Sequence, residues 1–173
     1  MKNIKSLLAV FTLIVGLAVS SMAQTESLQT LDGGQFSIGS QRGKVVILAI
    51  GASWLPLSRQ QAEITNRLSK KYAGRNVAVY FVTTESANAK SKNHATAQQI
   101  RDFASRNKLT VPILRDSDGA ATLKTYKVDQ LPSFVILDKE GNLVGSAFGG
   151  LDTDQKAMDA LTEKMSQVID KLL

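Results

Sequence analysis

Residues 44–50 read KVVILAI, an apolar, β-branched stretch with no polar position after its first residue. A strand with one face in water alternates in polarity. A stretch that does not alternate has to be covered on both faces. Two further runs have the same character, NVAVYFVT at 76–83 and SFVILD at 133–138, and segments of helical spacing lie between the three. This order constrains the chain to an α/β fold with a mixed central sheet. The sheet is parallel through the helical crossovers and antiparallel where SFVILDKEGNLVGSAF turns back as a hairpin, with residues 143–148 as the return strand.

The remaining elements follow from local signals. Residues 29–38 read as two short strands around Asp32-Gly33-Gly34, an N-terminal hairpin. A helix is predicted from about Pro56 to Tyr72, with Ile64 and Leu68 inward and Ala73-Gly74 at its end. Thr96 and Gln99 have capping-box spacing and open a helix over 97–107, with Ile100 and Phe103 inward. Residues 111–114 read as a short extended piece. Asp116-Ser117-Asp118-Gly119 reads as a turn or cap before a short helix ending at Tyr126. Residues 153–172 are amphipathic, with Ala157, Leu161, Met165, Val168 and Leu172 on one face.

The first residues stand apart from this fold. Lys2 and Lys5 precede an apolar run over 7–19, and Ser21-Met22-Ala23 supplies small residues at a cleavage site. The expectation is a secretory signal peptide over 1–23 and a single domain over 24–173, placing the protein in the periplasm or outside the cell. The alternative is an uncleaved membrane anchor, because residues 7–23 are near the lower length limit for spanning. No cysteine follows the run, which excludes a lipidated one. The 173 residues include none at all, although an exported chain folds where disulfides form. A disulfide scaffold, thiol chemistry and a thiolate metal site are therefore excluded. The net charge of +6 includes Lys90, Lys92, Arg101, Arg106 and Lys108. Without aromatics gathered among them, these read as a solvated surface and not as a nucleic-acid site.

Three signatures together resemble the thioredoxin-like superfamily, in particular its exported TlpA/ResA-type redoxin branch. GKVVILAIGASWLPLSR resembles that branch's strand and Trp loop leading into Cys-x-x-Cys-Arg. YKVDQLPSFVILDKEGNLV resembles its segment with a cis proline, strand, turn and return strand. LQTLDGGQFSIGSQRGKVV resembles its N-terminal hairpin. The resemblance covers nearly all of 24–173. It implies a three-layer α/β/α sandwich, a cis bond before Pro132, and thiol–disulfide chemistry outside the cytoplasm, notably in cytochrome c maturation.

The motif itself departs from this pattern. Leu55 stands at the place of the nucleophilic cysteine, Ser58 at that of the resolving one, and Ala49 where many thioredoxins hold a buried acid. The attacking group in thiol–disulfide exchange is a thiolate, and a second thiol resolves the mixed disulfide. Leucine has no ionisable proton. A serine hydroxyl needs a neighbouring base, and the only histidine, His94, is not placed near Ser58. The expectation is therefore no catalytic residue, no cofactor and no metal. The frame that remains is Trp54, Leu55, Pro56, Leu57, Ser58, Leu131 and Pro132. In the resembled family the segment before the cis proline pairs its backbone with an extended peptide, so these residues are read as a site for a protein or extended peptide of the cell envelope. Alternatives are a closed relic, an oxidoreductase by family membership alone, and non-redox chemistry by Ser58 with Arg59 or Glu63. A further alternative is an envelope subunit docking through its last helix, which requires Met158, Met165 and Ile169 to be exposed. Asp116, Asp118 and Gly119 recur in calcium loops, but the later acidic ligands are missing.

Overall fold

The structure, a computed structural model, describes residues 27–173. The segment read as a signal peptide and the boundary at residue 24 lie outside the described residues. Strands β1 (Ser27–Thr30) and β2 (Gln35–Ser37) form the N-terminal hairpin. Its turn closes by a bond from Thr30 N–H to Gly34 O of 2.8 Å. Strand β3 (Val45–Gly51) is buried at every position, as its unbroken apolar run requires. It is followed by helix α1 (Ser58–Lys71), β4 (Val77–Thr83), α2 (Ala97–Arg106), β5 (Ile113–Arg115), the single-turn α3 (Thr122–Thr125), β6 (Ser133–Leu137) and α4 (Gln155–Leu172).

The strands make one mixed sheet in the order β2-β1-β5-β4-β3-β6. The β3–β4 and β4–β5 pairs are parallel, and β3–β6, β1–β5 and β1–β2 are antiparallel. Alternate residues of β3 enter two cores. Val45, Ile47 and Ala49 meet α1, α4 and Phe103 of α2, whereas Val46, Leu48 and Ile50 meet Ile38, Tyr126 and the hairpin residue Leu28. The architecture is α/β, with layers of unequal weight. Three helices cover one face; the α3 turn, a short 3-10 helix at Ile38–Gln41 and the hairpin cover the other.

The return strand expected at 143–148 does not form. The chain comes back beside β6 and touches it at isolated bridges, Leu137 with Leu143 and Phe134 with Phe148. Gly145, at φ 71°, bends the backbone out of the extended region between them and interrupts the ladder. Phe148 is consequently half-buried rather than in the core. The apolar face of α4 is also shifted from the expected one. Met158, Met165 and Ile169 are buried against the sheet, and Ala157, Leu161, Val168 and Leu172 flank them. The burial of these three removes the condition on which docking through the last helix depended. The Thr96 capping signal is realised as written: Thr96 and Gln99 bond each other's backbone N–H at 3.2 and 2.8 Å. The structure adds a cap on α4, where Asp154 accepts from Ala157 N–H at 2.9 Å.

Candidate functional site

The site lies where β3 and β6 end together, with Ile50 paired to Ser133. Gly51 ends β3, and any larger residue there would collide with its neighbours. A β-carbon on it would stand 2.3 Å from Gln61 Oε1 and 3.4 Å from Pro132 Cβ. Gln61, from the second turn of α1, is fully buried. Its amide donates to Ile50 O at 3.0 Å and Ser133 O at 2.9 Å, tying the helix to both strand ends. Its Oε1 has no partner. The Leu131–Pro132 bond is cis.

The loop at 52–57 is folded by its own backbone. Leu55 N–H donates to Ala52 O at 3.2 Å and Ser58 N–H to Leu55 O at 3.1 Å. The Ser58 hydroxyl also donates to Ala52 O, and Ser58 is buried. His94 meets Ser86 O through Nδ1, and Glu63 is ion-paired with Arg67, so none of the bases considered for Ser58 faces it. Its proton is held by a carbonyl, which is not an arrangement for nucleophilic attack.

Trp54 is 65% exposed, yet its indole N–H donates to Asn93 Oδ1 at 2.9 Å, and Asn93 in turn donates to Thr84 O at 2.8 Å. The polar stretch 84–95 is therefore the second wall of the site. A residue that sequence reasoning passed over anchors this wall. Glu85, 1% exposed, accepts from Ser53 N–H (3.0 Å), Ser53 Oγ (2.6 Å) and Thr83 Oγ1 (2.6 Å). A charged residue just after a buried strand was its only signal in the sequence.

The structure distributes the expected partner-binding residues unevenly. Trp54 and Pro56 are exposed; Leu55, Leu57 and Leu131 are half-buried; Ser58 and Pro132 are buried. Leu57 packs on the core beneath α1, whereas Leu131 packs on the core of the opposite sheet face. The accessible apolar surface is thus Trp54 and Pro56 with part of Leu55.

A mixed sheet with a cis proline facing the N-terminus of the helix after β3 defines a thioredoxin-like protein, and solved structures agree. The chain resembles a secreted Mycobacterium tuberculosis disulfide oxidoreductase homologous to E. coli DsbE, with TM-score 0.61, 22% identity, and 82% of this chain and 94% of that one covered. It also resembles the exposed lipoprotein thioredoxin Etrx1 of Streptococcus pneumoniae, with TM-score 0.62, 24% identity, and 84% and 98% covered. Residues 19–146 match the AhpC/TSA family, and the chain belongs to it. Relatives are the thioredoxin-like protein YneN of Bacillus subtilis strain 168, 35% identical over 73% of this chain and 69% of YneN, and the sporulation thiol-disulfide oxidoreductase A of the same organism, 28% identical over 87% and 94%. The cysteine count of this chain is zero, so it has the family's fold without thiols. Among the described residues no helix is long and apolar enough to cross a membrane, and no acidic or histidine cluster is suited to a metal.

Proposed function

We propose that this chain is an exported, non-catalytic thioredoxin-like module that holds an extended segment of an envelope protein against the 54–58 loop and the Leu131–Pro132 turn. The carrying observation is Trp54. Large aromatics are seldom left this exposed, and this one is also held in place by Asn93. A rigid aromatic anchor loses little conformational entropy on contact, which is the character of a binding hot spot. Pro56 beside it extends the apolar surface without a backbone donor that needs water. The reading of the chain as an oxidoreductase through family membership has no thiol to act through, and the Ser58 reading is opposed by the bond to Ala52 O.

The chain contains a single tryptophan, which makes its fluorescence a direct reporter of the site. Envelope proteins passed over the immobilised protein are expected to yield a partner that shifts Trp54 emission to the blue. Trp54→Ser should weaken capture by about 30-fold, as loss of a hot-spot aromatic costs about 2 kcal/mol. Equal capture by the wild type and the folded variant would move function away from this loop. Catalytic turnover in a disulfide-reduction assay would overturn the proposal altogether.

A further inference from the structure

Arg115, the last residue of β5, is 6% exposed, and among the described residues its guanidinium makes no hydrogen bond and no ion pair. Its Nη2 is sealed from solvent without a partner. A buried charge is ordinarily paired, because an unpaired one loses its hydration with nothing in return. The nearby carboxylates are occupied. Glu85 acts on Arg115 through its field, but its oxygens accept from Ser53 and Thr83. Asp116 accepts from Ala121 N–H at 2.9 Å, Thr122 N–H at 2.7 Å and Thr122 Oγ1 at 2.6 Å, capping the turn that leads into α3.

Arg115 and Asp116 line a cavity of about 310 Å³ between the N-terminal hairpin and the Ser117–Gly119 turn. Gln29 and Gln35 of the hairpin form its other wall. Ser27 Oγ donates to Gln35 Oε1, which leaves the amide N–H groups of Gln35 for another acceptor. The Gln29 side chain makes no protein hydrogen bond among the described residues. The cavity therefore sets neutral donors beside one buried guanidinium. This suits an oxyanion, and a planar carboxylate pairs with a guanidinium through two parallel bonds. Glu85 acts on Arg115 and Asp116 lines the cavity, so a monoanion meets less repulsion there than a dianion does.

We infer that the Arg115 cavity is a binding site for a small carboxylate ligand, separate from the Trp54 surface and independent of what that surface binds. The test is a titration of the folded chain with sodium acetate at constant ionic strength, followed through the Arg115 Nε–Hε resonance, with sodium chloride and inorganic phosphate as parallel titrants. A saturable shift with acetate, at least several-fold tighter than with either other anion, is expected. Arg115→Gln should weaken acetate binding by about tenfold or more, the loss typical of a charge-assisted pair, read for that variant by the acetate-induced rise in Tm. If that variant does not fold, Gln29→Ala and Gln35→Ala remain measurable and should each weaken binding several-fold while Trp54 fluorescence is unchanged. The inference is overturned if chloride matches acetate, if no saturable shift occurs, or if neither glutamine variant changes affinity.

Discussion

The Trp54 loop and the Arg115 cavity break the ordinary rules of burial in opposite directions. At the loop, a large apolar ring stands in solvent while its one polar atom is bonded to Asn93. At the cavity, a cation is buried while, among the described residues, its Nη2 goes without a partner. Both features oppose stability, and nothing in the sheet requires either of them. The contrast teaches where each kind of ligand belongs. Exposed, pre-oriented apolar surface suits a macromolecule that covers it, whereas a buried unpaired charge suits a small ion that can enter. Glu85 lies between the two, bonded to the loop through Ser53 and acting on Arg115 through its field.

The largest expected effect belongs to the frame beneath the loop. Gly51→Ala places a methyl group 2.3 Å from Gln61 Oε1, and Gln61 can retreat only by giving up its bonds to Ile50 O and Ser133 O. A loss of about 2–3 kcal/mol in urea unfolding is expected, the range for overpacking a closed core. Combining it with Gln61→Ala should cost less than the sum of the single changes, because the clash and the clamp share one residue. Additive losses would show that Gly51 and Gln61 do not form one packed unit, and that the loop is held by something else.

Glu85→Gln divides the two regions. It keeps the shape but removes the charge that accepts from Ser53 and Thr83, with an expected cost of about 2 kcal/mol. It also deprives Arg115 of its only described counter-field, so acetate should bind the variant more tightly and restore part of its Tm. A destabilised variant indifferent to acetate would separate Glu85 from Arg115 and confine its role to the loop.

How much of this was legible beforehand follows from the range of each interaction. The unbroken apolar run at 44–50 could only be a central strand, and Thr96 with Gln99 marked a helix start because both partners lie within one turn. The missing thiols were visible at once, since chemistry absent from the composition is absent from any fold. The return strand at 143–148 was misread because period-two patterning does not register that Gly145 adopts positive φ. The α4 face was placed one residue away from Met158 and Ile169, which only packing against the sheet could decide. The split of Leu57 and Leu131 between two cores, the Gln61 clamp and the isolation of Arg115 all depend on contacts between distant segments. Arg115 reads in the sequence as one more surface cation after Ile113-Leu114, and only the pairing of β5 with both β4 and β1 buries it.

The smallest effect is expected at Asp138, in the tight turn after β6, far from both unusual regions and satisfied in every respect they are not. Burial pushes its carboxyl upward, but hydrogen bonds from the Asn142 main chain and side chain, from Glu140 and from Gly141 outweigh this and hold it below the usual 3.8. The Asn142 N–H and Glu140 N–H bonds to Oδ1 are 2.8 and 3.0 Å long. A carboxyl depressed in the folded state binds its proton more readily when unfolded. It therefore contributes stability above its unfolded pKa, and that contribution disappears as pH falls through the lower folded value. Asp138→Asn should lower the urea midpoint slightly at neutral pH, by less than Glu85→Gln, and the difference from wild type should shrink below about pH 4. A difference that persists unchanged into acid would mean that the turn is held by the shape of the side chain. The contrast between satisfied and unsatisfied polar groups would then have to be drawn without charge at this position.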